Sequence, residues 1–434
     1  MGFKMSKEKN SEKLHLKITE NEIDPIALTI LKRLKNFEFE VFLVGGCIRD
    51  LILGKKVNDW DIVTQASVNE IINCFSDFKL VTFGKKHGTI LLIKKHLQYQ
   101  VSTFKSMTGF NPNLQNDLKR RDFTINSLAW SEKSGLIDLY HGIDDIRIGT
   151  IRFTEIATDR IKEDPLRMLR AIRLACELDF KIEKDALDGI HGHCELLQKV
   201  SIERVRDEFI KIIISDSSMR GLKLLNQTNL LKFIMPELQA YLDIQENDFS
   251  KGQKIQNIPI EFLNNLPSNF ALRLSMIMHI PSRKLNAKEK ILFINKVLKR
   301  IRIKNKIIKK VNILLKEKWN IDYFSQKKSI RYLAHRIGME NLKDYWILCR
   351  TYSLFTQMRD KLVENKIRTG EFNLEETIKE SPPVTLKDLA VNGEDLIKHG
   401  YREGKEIKDI LDRLLKLVLE KPELNSKAKL SEYM

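Results

Sequence analysis

Residues 43–64 read LVGGCIRDLILGKKVNDWDIVT, and the reading of the whole chain grows from them. An apolar strand, Val41–Val44, runs into Gly45-Gly46. Missing β-carbons at such a turn let backbone N–H groups come close to a phosphate. A short helix carrying Arg49-Asp50 follows and ends at Gly54, and Asp61–Thr64 forms the next strand. Asp59 and Asp61 are one residue apart. On a strand, positions i and i+2 share a face, so the two carboxylates converge. Two hard oxygen ligands beside a phosphate-binding turn suit Mg²⁺, which takes a few carboxylates plus substrate phosphates. A D-x-D alone is common at strand ends. Joined to the glycine turn and Arg49-Asp50, it marks a candidate phosphoryl-transfer site.

Outward from this stretch, a helix is expected over about 25–37, behind a polar extension at 1–25. Ile90–Ile93 and Gln98–Phe104 read as a hairpin around Lys94-Lys95-His96. Mixed strand and helix signals up to about residue 150 predict a small α/β domain. From about 156 onward, apolar residues recur at helical spacing, as in Leu166, Leu169, Ile172 and Cys176. Pro165, Pro236, Pro259, Pro267 and Pro281 punctuate the helices, with loop breaks near 243–258 and 378–385.

The chain has 434 residues, enough for two to four domains. Its 75 Lys+Arg against 58 Asp+Glu give a formal net charge of +17, which favours a polyanionic partner. No apolar run approaches bilayer length, and the N-terminus lacks a signal-peptide core, so a cytoplasmic protein without membrane contact is expected. The five cysteines are scattered without a C-x-x-C pair, which speaks against disulfides and structural zinc. His191-Gly192-His193-Cys194 lacks a second ligand pair at finger-like spacing and is read as ordinary. Asn295–Trp319 is densely basic with an apolar face, as Val297, Leu298, Ile301, Ile308 and Val311 show. It is either a solvated helix face or a phosphate-contacting surface.

The pattern GG-x-x-RD-x(3)-G…D-x-D resembles the first motif of the class II tRNA nucleotidyltransferase and bacterial poly(A) polymerase family. The other motifs of that family follow in order: DLKRRDFTINSLAW (117–130), IDLYHGIDDIRIGTIR (137–152), RIKEDPLRMLRAIRLACELDF (160–180) and SIERVRDEFIKII (201–213). LKDLAVNGEDLIKHG (386–400) looks like the tail of Gram-positive-type CCA-adding enzymes. The resemblance implies an α+β catalytic head (a nucleotidyltransferase sheet with helices) followed by an elongated all-α neck, body and tail. Its expected boundaries are 26–150 for the head, 151–215 for the base-reading neck, 216–320 for the body and 321–434 for a tRNA-binding tail.

The same resemblance implies addition or repair of the CCA 3′ end of tRNA from CTP, with ATP left open, and release of pyrophosphate. Asp59 and Asp61 would be catalytic and hold Mg²⁺. Gly45, Gly46, Arg49, Arg121, Asp122, Asn126, Asp164, Arg167 and Arg170 would bind the nucleotide. Asp164 and Arg167, three apart at a helix start, are expected on one helix face. An Asp acceptor beside an Arg donor matches the amino group and ring acceptor of cytosine and adenine, and mismatches uracil and guanine. Arg121 and Asp122 would read the ribose 2′-hydroxyl.

Three departures from the family stand out. His141 replaces the usual first glycine of the third motif, and Gln100 replaces a usual glutamate in the hairpin strand. Ser106–Asn116 is a short loop where full CCA-adding relatives carry a longer one, a mark of members that add only two cytidines. Two rivals remain open here: a poly(A) polymerase, and a catalytically silent RNA-binding protein on the same scaffold.

Overall fold

Asp24 starts the first helix because its carboxylate accepts from the N–H groups of Ile26 and Ala27, donors that a helix start leaves unpaired. Pro25 fits the first helical position, where no N–H is needed. Helix α1 (Pro25–Asn36) buries Ala27, Ile30, Leu31 and Leu34, one stripe at helical spacing. Ile18 and Ile23 are also buried, so the stretch expected as a polar extension joins the fold before residue 25. The computed structural model describes residues 14–82, 88–94, 97–104, 113–240, 242, 263–356 and 361–434.

Two units divide the chain: Met1–Glu208 with Gln227–Phe233, and Phe209–Asn226 with Ile234–Met434. In the first unit, seven strands among the described residues form one mixed sheet. They are β1 (Val41–Val44), β2 (Trp60–Thr64), β3 (Lys79–Thr82), β4 (Thr89–Lys94), β5 (Leu97–Thr103), β6 (Leu128–Ser131) and β7 (Gly135–Asp138). Their order is β3-β4-β5-β2-β1-β6-β7. All neighbours are antiparallel except β2 and β5, which run parallel with Asp61 in register with Gln100. The expected hairpin is present, with Ile93 opposite Gln98.

Helices α2 (Gly46–Ile52), α3 (Val68–Cys74), α4 (Leu114–Lys119) and α5 (Gly142–Ile148) link the strands. Val44, Val63, Phe104, Leu118 and Ala129 form a core between the sheet and α4. Then come α6 (Ala157–Glu163), α7 (Arg167–Leu178), α8 (Lys184–Gly192) and α9 (Ile202–Ile214). The region expected to be wholly helical also holds a two-stranded parallel pair, β8 (Thr150–Ile151) with β9 (Lys181–Ile182). Segments of two residues are too short to register as periodicity.

Among its described residues, the second unit's secondary-structure elements are all helices. Phe270–Ser282 is buried along most of its length, and its Arg273 donates to the carbonyls of Ile213, Leu266 and Pro267 at 2.8, 2.9 and 3.0 Å. Pro281 sits inside this helix rather than at its boundary, because a proline near a helix end breaks little of the remaining ladder. The basic stretch forms two helices, Ala287–Arg300 and Asn305–Leu314. Ile294, Val297, Leu298, Ile308, Val311 and Leu314 face inward, while Lys296, Lys299, Lys304, Lys306 and Lys309 are exposed. The break expected near 378–385 falls after Lys361–Glu380; the one at 243–258 lies outside the described residues. Among the described residues no helix is long and apolar enough to cross a membrane.

Candidate active site

Gly45 adopts φ +85°, a left-handed conformation that other residues pay for. A β-carbon there would lie 2.5 Å from Arg121 Nη1, so the bare backbone is also what admits the Arg121 guanidinium. The Gly45 N–H is already committed to the Leu128 carbonyl at 3.0 Å. Any donors for a phosphate therefore come from the first turn of α2 beyond it, where helix geometry leaves N–H groups unpaired.

Asp61 projects from β2, while Asp59 lies just before that strand and is exposed. The strand argument for a shared face thus covers only Asp61. The two remain close enough for the charge of Asp59 to act on Asp61. Burial pushes the Asp61 carboxyl above the usual carboxylate range; Arg121 and Arg170 pull it down, and Asp59 raises it further. Among the described residues Asp61 accepts no hydrogen bond from any side chain. A half-buried carboxylate without a donor, repelled by a second carboxylate and flanked by the Gln100 amide, is a hard oxygen donor set that fits a divalent cation. Among the described residues no third carboxylate, His or Cys completes a cluster.

A cavity of about 360 Å³ opens beside this strand. Asp61 and Gln100 line it from the sheet, Arg120, Arg121 and Asp122 from the turn after α4, and Asp164, Arg167 and Arg170 from the α6–α7 segment. Asp117 also lines it and holds Arg121 Nη2 at 3.2 Å. The Nε atoms of Arg121 and Arg170 are buried without a hydrogen-bond partner, leaving N–H donors for an anionic or acceptor-rich ligand.

Asp122 is buried and pairs with Arg170 Nη2 at 2.7 Å. Burial works against its charge, but Arg170, the Asn126 amide and the Phe123 N–H together hold its carboxyl below the ordinary range. Asn126 and Arg49 do not line the cavity. Asn126 donates to Asp122 at 3.0 Å and accepts from Arg49 Nη1 at 2.6 Å, and Arg49 also binds Asp50. They form a buried chain behind the site that braces Asp122 against α2.

Asp164 and Arg167 do not share a helix face, contrary to the sequence expectation. Asp164 ends α6 in an extended conformation, φ −145° and ψ 98°, and α7 begins at Arg167. Pro165 is the cause, since its ring excludes the preceding residue from the helical region. Both residues still line the cavity, and the Asp164 carboxylate accepts from the Leu166 N–H at 3.2 Å. Arg167 Nη1 donates to the Arg160 carbonyl at 2.8 Å and to Glu163 at 2.9 Å, and Nη2 to the Arg120 carbonyl at 3.1 Å. Sequence spacing had pointed to neither this bracing nor Arg160, which is fully buried and donates to the Arg120 and Arg121 carbonyls.

Two departures acquire a physical reading. His141 takes φ 59°, a left-handed position that explains why glycine is usual there. Residues 106–112 of the short loop lie outside the described residues; Asn113 already caps α4, so the loop's last residues are helical. His191 and His193 ring nitrogens each face a backbone carbonyl, Gln227 and Gly189.

Residues 41–152 match the family described as "Poly A polymerase head domain", and 179–242 match "Probable RNA and SrmB- binding site of polymerase A". The CCA-adding enzyme of Lactobacillus delbrueckii subsp. bulgaricus is 28% identical over 427 residues, covering 95% of this chain and 98% of that protein. The CCA-adding enzyme of Streptococcus agalactiae is 35% identical over 240 residues, 51% of this chain and 59% of that protein. Among solved structures, the Bacillus stearothermophilus CCA-adding enzyme in complex with CTP superposes with a TM-score of 0.72 at 26% identity, covering 95% of this chain and 98% of that one. The mixed-sheet head, the ordered motifs and near end-to-end similarity converge: the chain is a nucleotidyltransferase of the class II tRNA nucleotidyltransferase and bacterial poly(A) polymerase family.

Proposed function

We propose that this enzyme extends the 3′ end of tRNA with CTP-derived nucleotides, without a nucleic acid template. The observation that carries the reading is the single cavity that Asp61, Arg121, Asp122, Asp164 and Arg167 line together. In the reaction the RNA 3′-hydroxyl attacks the α-phosphorus of the nucleotide, and pyrophosphate leaves. Asp59 and Asp61 would hold Mg²⁺, which when bound supplies charge neutralisation at the reacting phosphate and acidifies the attacking hydroxyl. Arg121 and Asp122, a donor beside an acceptor, address the ribose 2′-hydroxyl. Asp164 accepts from the exocyclic amino group of cytosine or adenine, and Arg167 donates to the ring acceptor. Arg170 completes the charge around Asp122, while Arg49 and Asn126 keep that carboxylate in place. Gly45 and Gly46 leave room at the phosphate end.

The domain assignment follows: residues 26–150 as catalytic head, 151–215 as neck, 216–320 and 321–434 as body and tail gripping the acceptor arm by shape and phosphate charge. The exposed lysines of the 287–314 helix pair support that role.

A finer reading concerns the last nucleotide. The segment between Lys105 and Asp117 is short, which favours addition of two cytidines and a stop. The test uses tRNA lacking its last three nucleotides, with labelled CTP or ATP, and sizes the products. Two added C residues with excess ATP present support the reading. Efficient A addition to tRNA ending in CC overturns the two-cytidine reading alone, and homopolymeric A tails on any RNA overturn the tRNA assignment.

A further inference from the structure

The base-reading pair is braced unequally. Arg167 is fixed by three acceptors, the carbonyls of Arg160 and Arg120 and the carboxylate of Glu163. The Asp164 side chain, in contrast, receives one backbone N–H, from Leu166, and one side-chain donor: Arg204 Nη2, 2.8 Å from Oδ2. Arg204 comes from α9, 40 residues further along the chain.

The contact is held in register by a second one. Glu208, one helical turn beyond Arg204 on the same face of α9, accepts from Arg173 Nε of α7 at 2.7 Å. Glu208 is buried, so α9 is pinned to α7 there and presents Arg204 to the α6–α7 junction. Arg204 itself is half exposed, at 53% of its side-chain surface, and among the described residues Asp164 is its one ion-pair partner. An exposed ion pair adds little to stability. Its position on a carboxylate that must present a defined lone pair to a base gives it another use.

We infer that Arg204 is a positioning residue for base choice: it sets the rotation of the Asp164 carboxylate, so that the free lone pairs point where the amino group of cytosine or adenine arrives. This rests on the proposed base-reading role of Asp164. With Arg204 absent, the carboxylate can turn about its side-chain bonds, and the fixed alternation of acceptor and donor that rejects uracil is blurred.

The experiment measures equilibrium binding of CTP and UTP, and single-nucleotide addition, for wild type, Arg204→Ala, Arg204→Lys, Asp164→Ala and the Arg204→Ala/Asp164→Ala double variant. Expected for Arg204→Ala is CTP binding weaker by about tenfold, UTP binding unchanged, and a matching rise in U over C incorporation. The addition rate at saturating CTP should fall less than the binding does, and Arg204→Lys, which keeps one donor, should recover most of the loss. In the Asp164→Ala background, removing Arg204 should add nothing, because its effect passes through that carboxylate. If Asp164→Ala alters C/U preference while Arg204→Ala does not, the inference fails and base reading stands. An equal effect of Arg204→Ala in both backgrounds means that Arg204 touches nucleotide or RNA directly, and also overturns it. If Asp164→Ala leaves C/U preference at wild type, the base-reading role itself fails.

Discussion

The two walls of the cavity are built on different principles. The sheet wall places Asp61 beside Gln100 by strand register and leaves the carboxylate without a hydrogen-bond donor, its charge opposed by burial and by Asp59. The helical wall does the reverse. Arg167 and Asp164 are tied down by backbone carbonyls, by Glu163 and by Arg204 before any ligand arrives. The difference separates two tasks. A charge left unsatisfied on a rigid strand is a site that a cation stabilises. A pair whose orientation is already fixed serves selection by shape, because a reader that can rotate accepts several hydrogen-bonding patterns.

If the sheet wall is the chemical one, Asp61→Ala should lower nucleotide addition by at least about a thousandfold, several kcal/mol of transition-state stabilisation. Thermal unfolding should stay near wild type or rise slightly, since a half-buried charge without a hydrogen-bond donor is removed. Retained turnover, measured across a magnesium titration, would break the comparison at its strongest point. The helical wall should answer differently. Arg167→Lys keeps the charge and loses the planar fork, so the C-to-U incorporation ratio should fall by about 10- to 100-fold, equivalent to roughly 1–3 kcal/mol, with overall rate less affected. Competition between labelled CTP and UTP reads it.

Backbone strain near the site gives a smaller effect. His141→Gly should be tolerated, whereas His141→Val, a β-branched residue forced to φ near 59°, should cost about 1–2 kcal/mol in denaturant unfolding. Equal stability of the two variants would remove the left-handed explanation of this departure. The smallest expected change is that of Gln100→Glu. It adds a carboxylate in register with Asp61, so addition should stay within a few-fold of wild type and the magnesium requirement should shift to lower concentration. A large fall in rate would mean that the Gln100 amide has a role of its own.

Much of the sheet wall was legible in the chain. Val41–Val44, the Gly45 turn and Asp61–Thr64 are local features, and short apolar runs fix them within a residue or two. The hairpin was legible for the same reason. That Asp164 and Arg167 line one cavity was legible, but not their geometry, because counting along a helix ignored what Pro165 does to Asp164. Among the second unit's helices, the basic stretch showed which residues face inward, since apolar spacing reports burial directly.

The sequence by itself determined the elements, the family motifs and the residue types at the site, because helix and strand periodicity and turn chemistry act over a few neighbouring residues. Tertiary structure alone decided that Gln100 stands beside Asp61, that Arg167 is held by the Arg120 carbonyl 47 residues away, and that Arg204 reaches Asp164. These contacts depend on parallel strand register and on how helices pack. The free energy that sets them is shared across the whole core, so no local pattern records it.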